Sequence, residues 1–386
     1  MGAKVDFDYL ASSKHNIKFG IHYTQHQFLV GRIQLGSDDG TVDFLTENRL
    51  FSQQGAIYFA DDWIASDRWR FNFGFRLSGF QYQNTQYGGF EPRFSARYKV
   101  SEKVSLKASL NRMYQYLHLV SNSGASIPTD IWYPSTRVAL PQIADQAALG
   151  VQASLFGGKI LLSNEVYYKY LTNQLDLRDG ARIFGNANLE AEFVVGRGWS
   201  YGNEFYLEKK EGRTTGWIGY TLSWTQRQFG PSNGNPAINN GEPFFPRFDR
   251  RHDFSFVLTH RLSKRLLFTL TWVFNTGNAY SLPEGRFFLQ NVPGGNTVVV
   301  PVFQGRNTFR LPDYHRLDVG LVWQLNPKRG TSDLTFSIYN VYNRRNAYFV
   351  FFEEIKNTTT NIITGFRARE VSLFPIIPTI TYNFKF

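Results

Sequence analysis

His22 and His26 stand four residues apart, the separation at which a helix would offer both imidazoles to one metal ion. On a strand the same separation is about 13 Å, and one ion cannot bridge it. Asp61 and Asp62 supply paired carboxylates of the kind used for calcium or acid–base work, but neighbouring residues of a strand face opposite sides. No grouping of nucleophile, base and orienting residue accompanies them. Gly196, Gly198 and Gly202 miss the spacing of a dinucleotide-binding loop, and no strand–helix unit surrounds them. Asn357-Thr358-Thr359 is formally a glycosylation sequon. The chain has no Cys, which removes disulfides, thiolate metal sites and cysteine nucleophiles. The expectation is a protein with no catalytic residue, no metal site and no cofactor, provided these residues do lie on strands.

The elements that must carry them are strands from end to end. Phe alone contributes 36 of 386 residues and Tyr 21, and polar residues interleave with them. Ile380, Tyr382, Phe384 and Phe386 fall on one side of a period-two pattern, while Thr381, Asn383 and Lys385 fall on the other. Trp69, Phe71, Phe73, Phe75 and Leu77 repeat the pattern, as do Leu317, Val319, Leu321, Trp323 and Leu325. The spacing predicts about 15 strands, near 3–10, 15–29, 53–65, 68–83, 91–100, 103–117, 143–156, 159–175, 198–210, 213–228, 248–262, 265–277, 314–326, 332–349 and 373–386.

Connections alternate between tight turns, such as Ser66-Asp67, Gly157-Gly158 and Ser263-Lys264, and longer loops. The longer loops span 30–52, 118–142, 176–197, 229–247, 278–313 and 350–372, with 84–90 as a short exception. They carry turn-forming runs such as Gly36–Gly40 and Pro293–Asn296. Short turns at one end and long loops at the other describe a transmembrane barrel. A soluble sandwich also alternates, but strands of about 12 to 16 residues exceed its usual length. No run approaches the roughly 18 apolar residues of a membrane helix, and no signal segment opens the chain. The net charge of +11 is spread along the sequence, without the basic cluster that nucleic-acid binding requires.

Several segments resemble the barrel strands of TonB-dependent outer-membrane receptors, particularly those of Bacteroidota. They include Gly198-Trp-Ser-Tyr-Gly-Asn-Glu204, Phe248-Asp-Arg-Arg-His252, Thr276-Gly-Asn-Ala-Tyr280 and Ile338-Tyr-Asn-Val-Tyr-Asn343. Tyr58-Phe-Ala-Asp-Asp62-Trp and Glu165-Val-Tyr-Tyr-Lys-Tyr170 are similar to the same family. The resemblance implies an all-β, antiparallel transmembrane β-barrel of 22 strands, of which these 15 would be the carboxy-terminal part, forming a single domain over 1–386. It implies uptake of a bulky nutrient of the siderophore, glycan or peptide class. The signal peptide, the TonB-contacting box and the globular plug of such receptors have no counterpart here, so contact with the TonB complex would run through that amino-terminal part.

The terminal aromatics Tyr382, Phe384 and Phe386 look like the signal that barrel-assembly machinery reads. In the outer loops Trp132, Tyr133, Phe244 and Phe245 are candidate ligand contacts, because aromatic faces stack on sugars and many chelates; each could equally be a loop packing residue. Other expected partners are outer-membrane lipid and, optionally, a surface lipoprotein; nucleic acid is not among them. Two other readings stay open at this stage: a passive or structural outer-membrane barrel that exposes loops for adhesion, and a soluble all-β binding protein.

Overall fold

The computed structural model describes residues 1–36, 43–121, 130–181, 186, 188–289, 298–325, 330–358 and 363–386. One antiparallel sheet of 15 strands dominates it. In chain order these are β1 (Gly2–Leu10), β2 (His15–Gly36), β3 (Asp43–Ile64), β4 (Trp69–Tyr82), β5 (Thr85–Lys99), β6 (Val104–Gln115), β7 (Gln142–Leu155) and β8 (Ile160–Leu177). There follow β9 (Phe193–Lys209), β10 (Thr214–Gln228), β11 (His252–Arg261), β12 (Leu266–Asn275), β13 (Tyr314–Leu325), β14 (Thr331–Tyr339) and β15 (Ile377–Lys385). Each strand pairs with the one before and the one after it. β1 pairs with β2, β15 pairs with β14, and every residue of both end strands is exposed.

Period-two alternation gives the sheet two chemically different faces. Val5, Ile21, Ile57, Leu77 and Phe90 stand opposite one another across β1 to β5, and each is between 42% and 54% exposed. One residue along, Lys4, His22, Ala56, Ser78 and Gly89 form the matching row on the other face. An apolar row of this length left open is the mark of a surface that meets lipid. The last strand obeys the same register: Ile380, Tyr382 and Phe384 are exposed on the apolar face, while Thr379, Thr381 and Asn383 oppose Ser337, Thr335 and Asp333.

The short turns owe their tightness to serine. The Ser66 hydroxyl accepts the backbone N–H groups of Arg68 and Trp69 at 3.3 and 3.1 Å, and Ser101 and Ser263 do the same for the residues two and three ahead of them. At Gly157 and Gly158 the turn is made instead by positive φ, which costs a glycine nothing. Aromatic residues gather just inside these turns, with Trp69 stacked at 5.4 Å on Phe71 and 4.6 Å from Tyr98. Such a girdle suits the membrane–water interface.

Five places depart most from the strand boundaries expected above, the first being 30–52, where β2 runs on to Gly36 and β3 starts at Asp43, so that most of the expected loop is paired strand. Residues 84–90 are not a loop, since Gln83 takes a positive φ in a tight hairpin and β5 starts at Thr85. The expected strand 332–349 stops at Tyr339 because Asn340 and Asn343 adopt left-handed backbone, and the buried Asn340 side chain accepts from Arg344 N and donates to its carbonyl. Residues 350–372 fall mainly in a separate hairpin, Ala347–Lys356 with Ile363–Ser372. The strand from 373 begins only at Ile377, after Phe374 with positive φ and Pro375. Three smaller hairpins also stand on the long-loop end: Leu117–Ser121 with Asp130–Pro134, Ala279–Tyr280 with Phe309–Arg310, and Gly285–Leu289 with Val298–Val302. Alternation shows a strand but not its partner, so the sequence pattern does not separate these short hairpins from loop. Pro293–Asn296, Ser37–Gly40 and Thr359 lie outside the described residues.

Candidate functional site

The buried residues concentrate at the long-loop end. Leu50, Phe80, Tyr82, Tyr116, Tyr133, Leu175, Leu177 and Phe193 form one apolar cluster, and Val194, Phe229, Ile238 and Phe244 form a second. The strand ends therefore carry a packed platform of loops above an interior that is polar lower down.

Arginines pin the loops to that platform. Arg306 crosses from the 276–313 loop to the end of β8, where it donates to Asp176 at 2.7 Å and Asp179 at 2.8 Å, with its side chain 7% exposed. Its backbone N–H donates to Asn239 Oδ1 at 3.0 Å, which ties in the 229–251 loop as well. A second knot centres on Asp249, which accepts Thr225 N–H at 2.8 Å and a charge-assisted hydrogen bond from Arg310, with Arg251 at 3.6 Å. Gly277 makes this close approach feasible, since a Cβ there would overlap the Leu311 carbonyl. A cleft of 520 Å³ opens beside Arg306, lined by Arg178, Asp179, Asn240, Phe303 and Gln304 among others.

The four aromatic candidates divide into two pairs. Trp132 is 51% exposed on the Asp130–Pro134 arm of its hairpin. Tyr133, next to it, is 8% exposed, packs edge-on against Phe193 at 5.0 Å and donates its hydroxyl to Glu190 at 3.0 Å. Burial and that carboxylate push its phenol well above the ordinary range. Phe244 is 4% exposed, stacks on Phe229 at 5.8 Å and joins the edge of β10 through a bridge to Arg227. Half-buried Phe245 lies between two guanidinium groups, Arg251 at 5.2 Å and Arg310 at 5.4 Å from its ring. Phe244 and Phe245 sit beside the arginine knots, and Tyr133 joins them through Phe193 and Val194. The knots carry no local sequence signal, because Asp176 and Arg306 are 130 residues apart.

Strand geometry keeps His22 apart from His26 and Asp61 apart from Asp62. His22 is held on the interior face by Thr24 at 2.9 Å and by Arg76 at 3.3 Å, while His26 stacks on Phe28 at 5.9 Å. Asp61 pairs with His15 at 2.7 Å and Asp62 accepts from Asn72 at 2.7 Å, on opposite faces. Among the described residues no three His, Cys, Asp or Glu side chains form a group able to hold a metal ion. Among the described residues no helix is long and apolar enough to cross a membrane, which leaves crossing by strands untouched.

A two-faced antiparallel sheet with serine turns at one end and arginine-pinned loops at the other defines the wall of an outer-membrane β-barrel. The profile of the family described as TonB dependent receptor-like, beta-barrel, matches residues 2–343, and the chain belongs to that family. It is an outer-membrane protein of a Gram-negative cell. Among solved structures it is similar to the siderophore receptor PiuA from Acinetobacter baumannii, with TM-score 0.63 and 12% identity, covering 100% of this chain and 55% of that one. The FrpB iron transporter from Neisseria meningitidis gives 0.61 and 13%, covering 100% and 54%. The ferric-catecholate import receptor Fiu from K12 E. coli gives 0.60 and 15%, covering 100% and 54%. The chain thus spans about half the length of these receptors. No curated protein sequence matches it.

Proposed function

We propose that this chain serves as the barrel portion of an outer-membrane receptor that takes up a bulky nutrient by TonB-dependent transport. The carrying observation is the pairing of a lipid-facing apolar surface with a polar interior in a chain of that receptor family. The three solved receptors described above are named for siderophores or iron, so a siderophore leads the candidate nutrient classes, with glycans and peptides behind it. Residues 1–386 act as one domain. Trp132 and Phe245 offer aromatic faces to the nutrient, and Tyr133 and Phe244 hold those faces from behind. Tyr382, Phe384 and Phe386 present the alternating aromatics that the barrel-assembly machinery reads. Coupling to the TonB complex is assigned to no residue of this chain.

The test is nutrient uptake in cells carrying the complete receptor in which this segment occurs. Uptake of one bulky nutrient should disappear on deletion of the gene, return on complementation, and collapse when the proton-motive force is dissipated. Uptake that continues undiminished without the proton-motive force would sink the proposal and leave a passive pore in its place.

A further inference from the structure

Three glycines stand in one row on the outward face of the sheet. Gly55 is directly opposite Gly79, and Gly79 directly opposite Gly88, with Tyr23 opposite Gly55 at the end of the row. Each lies two residues along its strand from Ile21, Ile57, Leu77 or Phe90, so the row shares their lipid-facing side. None of the three glycines takes a positive φ. A Cβ would meet nothing within 4 Å at Gly79, and no atom closer than 3.9 Å at Gly55 or Gly88. Neither the backbone nor the neighbours require glycine here, and inside a strand it is a weakness unless something approaches closely. A trough of 590 Å³ lies over the row, walled by Ile21, Ile57 and Leu77 on the side of the short turns.

The opposite wall is a ladder of amides. Gln25, Gln53, Gln81 and Gln86 stand opposite one another across β2 to β5 and are all exposed. Among the described residues their side chains hydrogen-bond to no protein group. Strand rise and tilt place Gly79, ten residues along β4 from Trp69, about 26 Å from the short-turn girdle. That is the far edge of an apolar band about 25 Å tall, so acyl chains run along the apolar wall and headgroups meet the glutamines. A carboxamide both donates and accepts, as a sugar hydroxyl does, and three strand spacings make the ladder about 14 Å long, room for a disaccharide. The exposed Tyr23 ring adds an aromatic face. No charged side chain stands in the apolar, glycine or glutamine rows, so a phosphate finds no cation there. We propose that this trough seats a glycolipid of the outer leaflet, its sugar on Gln25, Gln53, Gln81 and Gln86 and its first methylenes against Ile57 and Leu77. The seat lies on the outside of the wall and does not depend on which nutrient crosses the barrel.

The test uses the complete receptor in nanodiscs that hold diglucosyl diacylglycerol, phosphatidylethanolamine and phosphatidylglycerol with the same acyl chains at equal mole fraction. Native mass spectrometry counts the lipid each receptor retains. We expect a single glycolipid, retained at least about tenfold over either phospholipid. The variant G55A/G79A/G88A fills the trough and Q25L/Q53L/Q81L/Q86L removes the amides, and each should cut the preference to under about twofold. The control N164L/N203L, which takes an amide pair off the outward face of β8 and β9, should keep it. The glycine variant should melt no lower than the parent, because the trough has room for its methyl groups. Equal retention of the three lipids by the parent, an undiminished preference in either trough variant, or a glycine variant that melts lower would each overturn the proposal. Free disaccharide that displaces the glycolipid at equal concentration would overturn it in favour of a soluble-sugar site. A parent that is dimeric in the nanodisc and dispersed by the glycine variant would overturn it in favour of contact between copies.

Discussion

Replacing Phe75 by Arg tests the assignment of the two faces at the point where it is most sensitive. Phe75 lies on the apolar face of β4, 37% exposed, six residues above Trp69 at the short-turn girdle. A strand rising about 3.4 Å per residue and tilted about 40° from the normal climbs about 15 Å over those six residues. The apolar band is about 25 Å tall, so position 75 falls within a few Å of its centre. Arg there should cost about 2–4 kcal/mol of stability.

The adjacent Arg76, on the interior face, finds Glu91 at 3.8 Å and His22 at 3.3 Å and shows that the same side chain one residue away is accommodated. Ser109→Arg, at mid-strand on the interior face of β6, should accordingly cost less than about 1 kcal/mol. Urea unfolding of the chain in phospholipid vesicles, followed by tryptophan emission with slopes held equal, measures both. A loss below about 0.5 kcal/mol for Phe75→Arg, or equal losses for the two variants, would mean that Phe75 does not face lipid.

Three further outcomes follow from particular contacts. Arg306→Ala leaves Asp176 without its buried partner and should destabilise the loop platform by about 3 kcal/mol, read as faster hydrogen exchange in residues 300–310, with β1 to β4 unaffected. The result fails if exchange there is unchanged. Burial pushes the His118 imidazole down to about 4, while in the unfolded chain it takes up a proton near pH 6.5. Stability of the Leu117–Ser121 hairpin is therefore full above pH 6.5, falls by about 1.4 kcal/mol per unit as pH drops, and levels off below about 4. Trp132 emission on heating should track this, and a flat pH profile, or one equally steep in His118→Gln, would contradict it. Labelling of intact cells should succeed at a cysteine placed at exposed Asn240 on the long-loop end and fail at Gly158 in a short turn; the reverse pattern would invert the topology.

Alternation alone determined the middle of most sheet strands and which face their residues take. The sequence around Trp69–Leu77, Leu317–Leu325 and Ile380–Phe384 was enough to separate lipid-facing from interior residues, because a strand's period of two is a local property. The resemblance of short segments to receptor strands located the family, and the serine turns followed from residue type. Tertiary structure decided whatever depends on residues distant in sequence. The boundary at Asn340 and the start at Ile377 were set by left-handed backbone, which composition does not betray. Tyr133 and Phe244 read as loop aromatics equal to Trp132 and Phe245, and only packing against Phe193 and Phe229 distinguished buried from exposed. The knot of Arg306 on Asp176 and the row of Arg70, Arg97 and Lys107 needed register across strands. A charge count gives +11 wherever the cations lie, and only strand pairing brings Arg70, Arg97 and Lys107 into one row.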